Sequence, residues 1–154
     1  MPEPLSLTQT PEELTELIAR FNALDFVTHW STHIELVDPC RIRAVIDPLQ
    51  PVHRGGVQGP AVNGGVLSAI FDLSLGIPGF LRAWPDRRSA TVQLSMSFMR
   101  AVRGDRLETT SWIERGSASL LFTHAEARDS EQNLCATASG VVRMLDGHSG
   151  PRTF

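Results

Sequence analysis

Residues 55–79 read GGVQGPAVNGGVLSAIFDLSLGIPG, and the fold turns on what this stretch becomes. It opens as glycine-rich loop, passes Asn63-Gly64-Gly65, and runs apolar from Val66 to Ile77 with one acid, Asp72, inside. No Pro or Gly interrupts Val66 to Leu75, and the run exceeds a typical buried strand, so the pattern predicts a helix stopped at Pro78-Gly79. Its apolar side chains fall on nearly every face, and such a helix is buried rather than half-solvated. Roughly 12–14 residues would make it about 20 Å long, short of the ~20 apolar residues of a membrane span. The stretch therefore reads as a central core helix whose first turn is glycine and whose middle carries a carboxylate.

Upstream, Thr10-Pro11-Glu12-Glu13 is a helix start, with Thr10 as N-cap, Pro11 at the first helical position and Glu13 completing a capping box. Leu14, Leu17, Ile18, Phe21 and Leu24 follow at spacings of three and four, an amphipathic helix over about 11–24. From Trp30 the period becomes two. Residues 32–37 and 41–47 read as strands around the Asp38-Pro39 turn, and 48–60 as loop. After the core helix comes a second loop, 79–88. In the next strand Thr91, Gln93, Ser95 and Ser97 alternate with Val92, Leu94, Met96 and Phe98, giving one polar and one apolar face. Strands over 107–114, 119–128 and 135–145 follow, joined by tight turns, and 146–154 reads as a loose tail. Short turns between neighbours argue for an antiparallel sheet. A helix apolar all round cannot lie on one flat sheet face, so the sheet must curl around it or a second subunit must cover it. The class is α+β.

The 154 residues suit one domain with a sizeable core. Net charge is -3, which gives no bulk electrostatic reason to expect nucleic acid. All 14 basic residues counted as Lys+Arg are Arg, which points to coding bias more than chemistry. Cys40 and Cys135 stand far apart and read as reduced core residues. Residues 1–10 have neither a basic start nor an apolar run, so no secretion signal is expected and the location reads as cytoplasmic. His29, His33, His124 and His148 show no metal-ligand spacing.

A curved antiparallel sheet wrapped around one helix is the hotdog fold, and Ala61-Val62-Asn63-Gly64-Gly65-Val66-Leu67-Ser68-Ala69-Ile70-Phe71-Asp72 resembles the hallmark of acyl-CoA thioesterases of the phenylacetate-degradation type. In that family a His-Gly-Gly loop end is followed, nine residues after the His, by a catalytic acid. Gly64-Gly65 match the glycines and Asp72 the acid; Asn63 stands in place of the His. The resemblance covers about residues 30–145. It implies hydrolysis of an acyl-CoA without metal or redox cofactor, in a homodimer or homotetramer with the site between subunits, Asp72 from one chain and Thr91 from the other.

The residues themselves leave alternatives open. Helix-start amides at Gly64 and Gly65 make an oxyanion hole, or the glycines simply allow a sharp entry into the helix. Asp72 acts as general base or as nucleophile, or it bonds to a neighbouring loop or across an interface. Asn63 bonds a thioester carbonyl or caps the helix. Thr91 positions water or merely starts a strand. The loop entering the site offers His53, Val57 and Gln58 as substrate contacts, and Arg100 with Arg103 suits CoA phosphates. Phe71, Phe80, Leu81 and Trp84 are candidates to line an acyl pocket. The reading that competes with hydrolysis is a hotdog protein that binds acyl-CoA without turnover; a hydratase ranks behind both, because no His follows within the core helix.

Overall fold

In the computed structural model, which describes residues 9–56 and 59–146, helix α1 spans Pro11–Asn22 and a short α2 Asp25–His29. The tail beyond Asp146 and the loop residues Val57 and Gln58 lie outside the described residues. The capping box of α1 closes as expected: the Glu13 amide donates to Thr10 Oγ1 at 3.2 Å and the Thr10 amide to Glu13 Oε2 at 2.8 Å. Leu14, Leu17 and Ile18 are buried. The helix stops at Asn22, two residues early, where the side chain turns onto a strand. Asn22 Nδ2 donates to Ile34 O at 2.9 Å and its Oδ1 accepts from the Ile34 amide at 2.8 Å.

Strands β1 (Thr32–Asp38) and β2 (Arg41–Ile46) form the expected hairpin. The segment read as loop holds a single 3-10 turn, Pro51–His53, and a small antiparallel pair, β3 (Arg54–Gly56) with β4 (Gly59–Val62). Then come α3 (Gly64–Ala83), β5 (Arg87–Phe98), β6 (Leu107–Gly116), β7 (Leu120–Arg128) and β8 (Leu134–Asp146). Six strands make one curved antiparallel sheet in the order β1-β2-β6-β7-β8-β5. Helix α3 packs against β2, β5, β6, β7 and β8, and Ile70, Phe71, Leu75 and Leu81 are wholly buried. This is the hotdog arrangement. Cys135 is buried in it, but Cys40 sits half-exposed beside the β1–β2 turn rather than in the core.

Two expectations about α3 need correction. It runs 20 residues, through Pro78 and Gly79, to Ala83. A proline inside a helix deprives the carbonyl four residues earlier of its donor. Here that carbonyl, Ser74 O, receives the Ser111 hydroxyl at 2.6 Å from β6. Gly79 stays within the helix, and its missing side chain lets β8 lie close: a Cβ there would come within 2.7 Å of Val142 Cγ1. At 20 residues and a mean hydropathy of 1.5 the helix also has the length and composition of a membrane span, so the length argument fails. Enclosure by the sheet is what makes it a core helix.

Strand β5 is an edge of the sheet, bonded among the described residues only to β8. Its ladder pairs Thr91 with Val142 and Gln93 with Val141, so Val92 is an extra, bulged residue. A bulge reverses which side chains face which way. Thr91 therefore shares the helix-facing side with Leu94 and Met96, which pack on the core, instead of joining Gln93 and Ser95 as strict alternation predicts.

Candidate active site

Asn63 is the N-cap of α3: its Oδ1 accepts from the Gly65 amide at 2.8 Å, as an asparagine in that position does. Its Nδ2 donates to Gly55 O at 3.3 Å, and its own amide donates to His53 O at 2.9 Å. Both ends of the side chain are thus spent on holding the loop to the helix, the capping alternative. The two-amide oxyanion hole contracts accordingly. Gly65 N–H is engaged, whereas Gly64 N–H has no partner among the described residues and both glycines are exposed. The nearest atom to a Cβ at Gly64 would be Phe98 Cζ, 3.9 Å away, which places this helix start beside the end of β5.

Asp72 is exposed and has no hydrogen-bond partner among the described residues. It opens onto a depression of about 230 Å³ that Leu73, Gly76, Ser89, Ala90 and Thr91 also line, together with Phe21 and Phe80. Gly76 packs beside β5 here: a Cβ on it would be in ordinary contact with Thr91 Oγ1, at 3.5 Å. Asp72 and Thr91 thus line one depression within one chain. The amide and the acid do not. Eight residues separate Gly64 from Asp72 on α3, about 12 Å along the axis, so one carbonyl cannot touch the first and be attacked from the second in a single protomer.

His53 is fully buried. Its Nδ1 accepts from the Gln50 amide at 2.9 Å and its Nε2 donates to Trp30 O at 3.0 Å. It is a pin beneath the loop, not a group open to a ligand. Burial drives its pKa below the usual 6.5, against the raising effect of the bond to Trp30. Arg100 and Arg103 are exposed and line a depression of about 500 Å³ with Asp129, Ser130 and Asn133. Burial would raise the Asp129 pKa, but bonds from Asn133 and the Glu131 amide outweigh it and hold the carboxylate below its usual range. Of the four proposed pocket hydrophobics, Phe71 and Leu81 are core, Phe80 lines the Asp72 depression, and Trp84 stacks behind Phe80 at 5.6 Å. Phe21 and Ser89 were not foreseen; the apolar stripe of α1 marked Phe21 only as packing. Among the described residues no three His, Cys, Asp or Glu side chains gather as a metal site would require.

The Thioesterase superfamily model matches residues 59–136, just over half of the chain, which spans the glycine loop, α3, β5, β6 and β7. The chain belongs to the thioesterase superfamily. Solved structures agree on the fold. A thioesterase from Haemophilus influenzae superposes with a TM-score of 0.76 at 17% identity, covering 93% of this chain and 96% of that one. A thioesterase family protein from Silicibacter pomeroyi gives 0.76 at 17%, over 88% and 98%. A mutant thioesterase from Pseudomonas aeruginosa, with a glutamine replaced by alanine, gives 0.79 at 12%, over 92% and 100%. No curated protein matches the chain.

Proposed function

We propose that this protein is an acyl-CoA thioesterase of the phenylacetate-degradation type, cytoplasmic, working as a homodimer or a dimer of dimers without metal or redox cofactor. The observation that carries the reading is an open Asp72 sharing one depression with Thr91, while the helix-start amide of Gly64 lies elsewhere, both without a hydrogen-bond partner among the described residues. The two halves belong together chemically but lie at different points along the edge strand β5, one beside Thr91 and the other beside Phe98. Antiparallel pairing of β5 with β5 of a second copy would bring the Gly64 end of one protomer to the Asp72 end of the other. This amends the expected division of labour: Asp72 and Thr91 come from one subunit and the amide from its partner.

In such a site Asp72 takes a proton from water held by the Thr91 hydroxyl, and the oxygen attacks the thioester carbon. The developing oxyanion is stabilised by the Gly64 N–H of the partner subunit, strengthened by the helix dipole. Collapse breaks the C–S bond; the CoA thiolate takes the proton from Asp72, and the acid leaves. Arg100 and Arg103 lie at the Gly64 end, where the CoA phosphates would run.

Thiol release from acyl-CoAs tests this. Asp72→Asn, nearly isosteric, should lower kcat/KM by about 100-fold or more. Gly64→Pro deletes the amide donor at a position where proline suits a helix and should also be inactive. Mixing the two variants then distinguishes the arrangements. A site shared between subunits regains turnover, because a mixed dimer holds one intact site; a site within one chain does not. Binding of acyl-CoA by the wild type with no turnover of any substrate would instead establish the non-catalytic reading, which the full engagement of Asn63 favours.

A further inference from the structure

Resting on that reading, we infer that Phe21, from the N-terminal helix, sets the length of the acyl group and that the preferred substrate carries a compact apolar acyl chain. Phe21 and Phe80 line the Asp72 depression. The same two rings also line an apolar groove of about 100 Å³, with Leu17, Arg20 and Leu24. The rings meet edge to face, with centroids 5.0 Å apart and planes at 86°, so the shared pair stands between the two spaces. Phe80 is the fixed leaf, stacked on Trp84. Phe21 is fixed by its neighbour Asn22, whose amide bonds the Ile34 backbone in both directions. Gln9 ties the start of the same helix to the Trp84 carbonyl.

A chain lying past Asp72 therefore runs by Leu73, Ile77 and Ala90, with the Ser89 and Thr91 hydroxyls beside it, toward a rigid aromatic pair. The one charged group lining the depression is the Asp72 carboxylate itself, which disfavours ω-carboxylated acyl groups. Removing the Phe21 ring would join the depression to the groove along α1, and longer linear chains would gain a place to lie.

The experiment compares kcat/KM for straight-chain acyl-CoAs from acetyl to palmitoyl, with phenylacetyl-CoA, for wild type, Phe21→Ala, Phe21→Trp and Phe21→Ala/Leu24→Trp. Phe21→Ala should shift the optimum to longer chains, by about fourfold for each added methylene that enters the groove, the scale of burying one CH2. Phe21→Trp should shift it to shorter ones, and carries the test if the alanine variant folds poorly. Leu24→Trp in the alanine background refills the groove and should restore the original limit. Turnover with one unchanged length profile in all four proteins overturns this inference alone. No turnover by the wild type overturns the hydrolase reading and this one with it.

Discussion

Pro78 sits inside the helix that carries the candidate acid, and Ser111 should be what makes that tolerable. The proline has no N–H to give Ser74 O, four residues back, and the whole arrangement is buried. Ser111 Oγ donates to that carbonyl at 2.6 Å. The Ser74 hydroxyl lies 2.9 Å from Thr109 Oγ1, which donates to Ala44 O at 3.3 Å, so Ser74 is the donor of that pair and cannot substitute. Ser111→Ala would leave a buried carbonyl without a partner, at a cost of about 1–3 kcal/mol. For a chain of this size that lowers Tm by about 2–12 °C, measured by thermal and urea unfolding at fixed protein concentration because an oligomer's Tm depends on it. The decisive comparison is a cycle with Pro78→Ala, which returns an N–H to Ser74 O. In that background Ser111→Ala should cost roughly 0.5 kcal/mol or less, a coupling of about 1–2 kcal/mol between the sites. Equal costs in both backgrounds would refute the account and leave the proline explained by packing alone.

Three further outcomes follow from named contacts. His53 is held neutral with a pKa below its unfolded 6.5, so the unfolded chain binds its proton first. Its contribution to stability is complete above about pH 6.5 and declines as pH falls from there toward the folded value; melting curves should show this acid-side slope, and a His53→Gln variant, less stable throughout, should lose it. Asn63→Ala removes a cap and should cost about 1 kcal/mol, yet turnover of the folded variant should persist, since its side chain faces Gly65 and Gly55 instead of the reacting carbonyl; a loss of activity comparable to that of Asp72→Asn would assign it a catalytic role. Gly79→Ala puts a methyl 2.7 Å from Val142 Cγ1 and should destabilise by about 1–3 kcal/mol as overpacking does, read by chemical denaturation; a neutral result would mean that α3 and β8 can separate freely.

Much of this molecule was legible because local rules and the global fold agree. Thr10, Pro11 and Glu13 announce α1, and each later strand is bounded by turn chemistry. The unreadable parts are those where a distant partner overrides a local rule. Pro78-Gly79 is a stop signal by any local measure, and only Ser111, on a strand more than thirty residues later, removes the penalty. The alternation in residues 91–98 is clean, yet one bulged residue, Val92, turns Thr91 to the helix side. His53 looks like a loop histidine until Trp30 and Gln50 are found on its two nitrogens. Phe21 has the spacing of a core residue, and no periodicity records that its ring meets Phe80 beside the Asp72 depression.

The geometry also explains why an acid this exposed belongs on a core helix. The sheet covers one side of α3 and leaves another open along the edge strand β5, where Asp72, Gly76 and Thr91 line one depression. That opening is the place where a carboxylate can sit on an otherwise apolar helix without the desolvation cost of burial. The same edge leaves Val92 57%, Phe98 55% and Met99 55% exposed, beside backbone groups that no strand pairs. An uncovered strand of this kind invites another chain. A second β5 laid antiparallel would cover those side chains, satisfy that backbone, and carry the partner's Gly64 amide toward Asp72 in one step, so that the contact completing the fold would also complete the chemistry.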